Sequence, residues 1–273
     1  MTLQQQFITE RRYLKSVTPA TITWYEQAFK HFDGATESRA EAIQRIGQLR
    51  ERGLSAVSVN SWLRVINAFW RWSGKDFKIC RLKEEQKILA TFSAEQVESL
   101  LKFRPKGTNA SRVHTLACLL LDTGLRINEG RQIKPTDVDF DNLLVTVMGK
   151  GNKQRRVPIS FEGRKIMFRY VQQNPRRYVF GTRNQTSCTI RNLQRDFSLL
   201  CSKIGLSGVR CSFHTLRHTF AVFYLRKGGN LFYLSKILGH TSVKTTERYL
   251  QSLGIEDLQA VHSNLSLLSK GQR

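Results

Sequence analysis

Through the first ~80 residues the apolar positions recur at helical spacing, with no strand-like alternation between them. Thr18-Pro19 predicts a helix start: a Thr hydroxyl can accept a bond from a free backbone N–H, and Pro suits the first helical position. The helix that follows carries Trp24, Ala28 and Phe32 at i, i+4 and i+8. Another runs from about Glu37 to Arg52 and stops at Gly53. A third opens at Ser55, carries Trp62, Val65, Ile66, Phe69 and Trp72, and stops at Gly74. With an opening helix before Ser16, the pattern predicts a bundle of about four helices whose aromatic stripes are core. Lys75 to Thr91 is mixed in charge and lacks an apolar face, so it reads as the connection. The domain boundaries expected are 1–82, a linker at 83–91, and 92–273.

Ser93 and Gln96 form a capping box ahead of Val97, Leu100 and Leu101, and open the second domain. Its pattern is mixed. A helix covers about Ser111 to Asp122, with Val113, Leu116, Leu119 and Leu120 apolar, and ends at Gly124. A short helical turn spans Arg126 to Arg131, and Asp141-Asn142 reads as a turn. Leu143 to Met148 and Gln154 to Ile159 read as two strands of a hairpin around Gly149-Lys150-Gly151-Asn152-Lys153. From Phe161 onward helices dominate, with Gly205, Gly228 and Gly239 as stops.

Charge changes this picture most. In 273 residues, 44 Lys and Arg stand against 21 Asp and Glu, a net of +23. Such an excess calls for a polyanionic partner, nucleic acid or an anionic membrane. Residues 1–82 carry +6 and residues 83–273 carry +17, so both domains are equipped to touch it. No run of ~18 apolar residues offers a membrane span, and the start has no signal-peptide pattern. Five scattered cysteines without a C-x-x-C suggest neither a zinc site nor a disulfide framework, and fit a reducing, cytosolic compartment.

Four stretches carry candidate chemistry. In Thr123-Gly124-Leu125-Arg126-Ile127-Asn128-Glu129, Arg126 stands at a helix start, where free N–H groups favour anions, and Glu129 at i+3 can hold its guanidinium. A plain surface ion pair fits the same residues. Lys150 sits between glycines at the hairpin tip, as a solvated charge or as a proton donor to an oxyanion leaving group. The string lacks P-loop spacing, which excludes nucleotide hydrolysis of that type. In Phe213-His214-Thr215-Leu216-Arg217-His218, His214 and Arg217 share a helix face, while Leu216, Phe220 and Phe223 form the expected buried stripe. His214 and His218 have zinc-ligand spacing but no third ligand nearby, and His218 reads as a packed or capping residue. His240 follows Gly239 at a helix–helix corner, and Tyr249 stands nine residues later, alone no different from an amphipathic surface residue. As a set, two Arg, one Lys and two His can surround one phosphate and stabilise a five-coordinate phosphorus, with a Tyr hydroxyl as nucleophile.

The strings TGLRINE, GKGNKQRRVPI, HTLRH, LGH and TTERY, in this order from residue 123 to 249, resemble the tyrosine site-specific recombinases, or phage integrase family. In size the chain is most similar to short Xer-type and transposon- or phage-borne members. The resemblance implies a mainly α fold with a small β-sheet: an amino-terminal helical core-binding bundle of SAM-like form and a mixed α/β catalytic domain, clamped around duplex DNA. It implies that Arg126 and Arg217 bind the non-bridging oxygens of the scissile phosphate, that Lys150 protonates the departing 5′ oxygen, that His214 assists proton transfer at the nucleophile, and that His240 donates to the phosphate. Tyr249 would then form a 3′-phosphotyrosyl link, with Glu129 supporting Arg126. No cofactor or metal is implied, because cationic side chains do the charge work. Expected partners are double-stranded DNA with inverted-repeat core sites, a homo-tetramer on that DNA, and in some members a partner recombinase. An apolar stripe of Leu258, Val261, Leu265 and Leu268 suits docking on a neighbouring copy or packing in cis. Asn128, Gly130 and Gln251 depart from common family residues and leave the subfamily open, and Lys153 competes with Lys150 for the acid role. Alternatives are a DNA-binding accessory protein without catalysis and a type IB topoisomerase-like strand relaxer; the six intact groups argue against the first.

Overall fold

Four hydroxyl residues, Thr2, Thr18, Ser38 and Ser55, each accept a bond from the backbone N–H three residues on and so start four helices. These are α1 (Leu3–Tyr13), α2 (Pro19–His31), α3 (Arg39–Glu51) and α4 (Ala56–Trp72). The structure is a computed structural model that describes residues 1–85, 89–149 and 153–265, with backbone alone at 264 and 265. It divides into two units, Met1–Lys87 and Ile88–Arg273.

In the first unit Phe7, Phe29 and Phe69 meet edge to face, with ring centroids 5.2–6.0 Å apart. Trp70 is fully buried and donates its indole N–H to the Thr36 carbonyl at 2.8 Å. Of the expected stripes Ala28, Phe32, Val65, Ile66 and Phe69 are buried, whereas Trp24, Trp62 and Trp72 are only half-buried and Trp70 takes the interior place. Residues 75–84 do not hang free. Asn67 donates to the Ile79 carbonyl and accepts its N–H, and Asn60 does the same for Leu82. Two amides one heptad apart on α4 thus pair an extended segment as a strand edge would.

The second unit is built round α6 (Thr108–Thr123), which follows α5 (Ala94–Lys102) and whose Val113, Leu116, Ala117, Leu119 and Leu120 are buried. A helix apolar on most sides needs cover on most sides. That cover comes from α8 (Phe161–Gln173), α9 (Ile190–Ile204) and α10 (Phe213–Arg226). Between α6 and α8 lie the short α7 (Ile127–Gly130) and an antiparallel sheet ordered β1 (Val138–Asp139), β2 (Leu144–Met148), β3 (Gln154–Pro158). Val138 pairs Val145, and Val145 pairs Val157, so one face of valines joins the core. The two-residue β1 is too short to leave an alternating pattern in the sequence. After α10 come α11 (Leu231–Leu238), α12 (Lys244–Glu247), a 3₁₀ turn over Leu250–Ser252 and α13 (Ile255–Leu265). The Arg226 guanidinium meets the Asp257 carboxylate at 3.1 Å and ties α13 to the end of α10, with Leu258 exposed. Leu268 lies outside the described residues. Among the described residues no helix is long and apolar enough to cross a membrane.

Candidate active site

Two helices end where the site begins. Gly124 closes α6 and Gly239 closes α11, both left-handed, with φ of +64° and +65°. Neither has room for a side chain. A Cβ at Gly124 would run into Phe220 and come within 2.8 Å of Leu238 Cδ2, and one at Gly239 would lie 2.7 Å from Arg155 Cζ. The carbonyls freed at these two ends converge on two arginines. Arg217 donates to the Gly124 carbonyl at 2.6 Å and to the Leu238 carbonyl at 2.9 Å. Arg126 donates to the Leu238 carbonyl at 3.2 Å and the Gly239 carbonyl at 3.4 Å. A helix C-terminus carries partial negative charge, so two of them stabilise adjacent guanidiniums before any anion arrives.

Glu129 supplies the full negative charge. Its carboxylate accepts from the Arg126 backbone N–H at 2.8 Å and from Arg126 Nη1 at 3.1 Å. It also takes a two-pronged bond from Arg155, both contacts at 2.9 Å. Arg155 reaches on to the Ile237 carbonyl at 3.2 Å. Burial alone would push the Glu129 carboxyl up, but the bonds from Arg155 and the Arg126 N–H, with both guanidinium charges, outweigh it and hold the group below its usual range. Arg217 is 5% exposed, and burial first, then Arg126, lowers its pKa to about 10, so it stays charged at neutral pH. Three guanidiniums against one carboxylate leave an unbalanced positive charge beside the half-exposed edge of Arg126.

His240 closes the cluster. Arg217 can only donate, so His240 Nε2, at 2.9 Å, accepts; Nδ1 then carries the proton and donates to Thr246 Oγ1 at 2.8 Å. Burial, followed by Arg217, Arg126, Arg248 and Arg155, lowers its pKa to about 4. The neutral ring is thus engaged by Arg217, and a phosphate bound here would raise its pKa toward the donor form.

Tyr249 is not the surface residue its spacing allowed. It is 2% exposed, among Ala221, Val222, Leu225, Leu234 and Leu238. Its hydroxyl lies 3.3 Å from His218 Nδ1. The expected buried stripe of α10 also differs: Phe220 and Phe223 are half-buried, and Phe213, Leu216, Arg217, Ala221 and Val222 face inward. His214 is exposed, one turn before Arg217. The structure thus bonds Arg126, Glu129, Arg217 and His240 into one cluster, with Tyr249 against the residue that follows Arg217. Lys150, and with it the hairpin tip, lies outside the described residues; the hairpin is closed just below, where the Gly149 N–H donates to the Lys153 carbonyl at 2.8 Å. Sequence alone did not single out Arg155, and it gave His218 only a packing or capping place, whereas its Nδ1 meets the Tyr249 hydroxyl. Arg155 carried a signal: it alternates with Val157 on the inward face of β3 and with Ile159 just past its end, where a buried arginine calls for a carboxylate partner.

Residues 90–254 match the phage integrase family. The chain belongs to that family. As a phage integrase family member it is a tyrosine recombinase, a DNA breaking-and-rejoining enzyme. Among curated relatives of this recombinase, the tyrosine recombinase XerA of Thermococcus kodakarensis is 29% identical, covering 94% of this chain and 93% of that protein. The tyrosine recombinase XerC of Syntrophus aciditrophicus is 28% identical over 86% of this chain and 85% of its own. Among solved structures, the Tn1549 transposon integrase in complex with transposon right end DNA is similar at a TM-score of 0.77, with 20% identity, covering 97% of this chain and 99% of that one. A lambda integrase dimer bound to a COC′ core site is similar at 0.72, with 15% identity, over 93% and 77%. These likenesses show the shared fold, mostly helical with a small antiparallel sheet.

Proposed function

We propose that this recombinase cleaves and rejoins DNA at specific core sites through Tyr249. The observation that carries the reading is the bonded cluster of Arg126, Arg217 and His240, with the Tyr249 hydroxyl against His218, the residue after Arg217 on α10. A phosphodiester entering beside Arg126 replaces carbonyl partners with its own non-bridging oxygens, and the preset guanidiniums stabilise the charge that develops on phosphorus. His240 donates to the same phosphate once that charge has raised its pKa. Tyr249 attacks, a 3′-phosphotyrosyl bond forms, and the 5′ oxygen leaves with a proton from Lys150. His214 aids proton movement from the exposed side of α10. The phosphodiester bond energy is kept in the phosphotyrosyl link, so rejoining needs no nucleotide. The partner is duplex DNA with inverted-repeat core sites, held by a homo-tetramer or with a partner recombinase, in the cytoplasm where DNA is at hand. The net charge of +23 makes binding strongly salt-dependent. The test is Tyr249→Phe on a nicked suicide duplex: DNA binding stays and the covalent adduct disappears. An adduct surviving that change would remove Tyr249 as nucleophile.

A further inference from the structure

The group touching the nucleophile's hydroxyl is His218, at 3.3 Å from Nδ1, with the two rings tilted by 54° and their centroids 5.7 Å apart. His214, which the family resemblance assigns to proton transfer at the nucleophile, is exposed on the previous turn. We infer that His218 is a catalytic residue, the group that takes the Tyr249 proton as the phenol oxygen attacks phosphorus. This rests on the reading of Tyr249 as nucleophile. The balance is closed: the O–H bond of Tyr249 breaks toward Nδ1, the O–P bond forms, and the P–O5′ bond breaks with a proton delivered from the opposite side. On rejoining, the attacking 5′-OH gives a proton back to that side, and His218 returns its own to the phenol.

The surroundings suit the role. His218 is flanked by Arg248 from the turn before Tyr249 and by His214 and Arg217 on its own helix; burial first, then these three, lower its pKa to about 4. The ring is therefore neutral at working pH, with one nitrogen free of a proton, as an acceptor must be. It is a weak base until the site is filled. A phosphate gripped by the neighbouring Arg217 places negative charge close to the ring, and the basicity of His218 rises as the substrate arrives.

The test is single-turnover adduct formation on a nicked duplex, built on the core site this protein selects from a random-sequence pool. The duplex is made with an ordinary 5′ oxygen and, separately, with a 5′ sulfur that leaves without protonation. His218→Ala and His218→Gln are expected to slow adduct formation ~100-fold or more on both duplexes. DNA affinity and thermal unfolding are expected to stay near wild type for the Gln variant, and the rise of rate with pH expected of wild type is lost. Rates within ~3-fold of wild type overturn the inference, as does a defect erased by the sulfur leaving group, which marks a leaving-group acid instead. A wild-type protein that forms no adduct on either duplex, or a Tyr249→Phe protein that does, sinks the parent reading; an intact parent with an indifferent His218 sinks this one alone.

Discussion

Arg155→Met keeps the aliphatic stem and removes the fork that holds Glu129. The carboxylate side chain is 5% exposed and would keep its two contacts to Arg126 while losing two charge-assisted bonds at 2.9 Å. Removing one member of a buried ion pair costs about 3–5 kcal/mol, and the surviving Arg126 contacts put the expected loss near the bottom of that range, ~3 kcal/mol. For a unit of this size that lowers the midpoint of thermal unfolding by roughly 6–12 °C. All four tryptophans, Trp24, Trp62, Trp70 and Trp72, lie in the first unit. Tryptophan emission therefore reports the first unit and serves as an internal control, while far-ultraviolet circular dichroism reports both. The expected result is a lowered dichroism transition with the emission transition unmoved, partly restored in Arg155→Met/Glu129→Gln because no orphan charge remains. Cleavage is expected to fall ~10–100-fold, since Glu129, which orients Arg126, loses the fork that fixes it in place. A loss under ~1 kcal/mol, the worth of an exposed pair, would refute the claim that Arg155 holds the site together.

Arg217→Ala or Arg126→Ala is expected to lower adduct formation by about three orders of magnitude while the chain still folds, a clamp donor being worth ~10²–10³ each; suicide-substrate kinetics check this, and near-native rates would contradict the phosphate clamp. Acid should destabilise the second unit. His218 and His240 both have folded-state pKa values near 4, below the 6.5 of the free residue, so their contribution is whole above pH 6.5 and is lost as pH falls through 6.5 toward 4. His114, lowered chiefly by burial, acts in the same direction. After discount for partial exposure each of the first two is worth on the order of 2 kcal/mol, which dichroism melts at pH 7 and pH 4.5 would read; a flat stability across that window would argue against neutral buried rings.

Local signals carried most of the fold. Caps at Thr18, Ser55 and Ser93, stops at Gly124, Gly205 and Gly239, and the β2–β3 hairpin all acted within a few residues of where they stood in the chain. What stayed hidden depends on distant partners. The asparagine pairing of residues 79 and 82 to α4 looks from sequence like a polar linker, because the apolar cover is replaced by amide bonds. Arg217 and Tyr249 are buried for a similar reason: their neighbours are carbonyls and residues from 21 to 93 positions away, which no periodicity displays. The ordered motifs named the chemistry, but helix spacing could not decide which of His214 and His218 meets the phenol, as one turn separates them.

Arg126, Arg217 and His240 stand bonded to one another's carbonyl and ring partners, and the Tyr249 phenol lies covered under α10 and α11. A ring so enclosed meets little bulk water, which leaves the His218 nitrogen as the near partner for its proton.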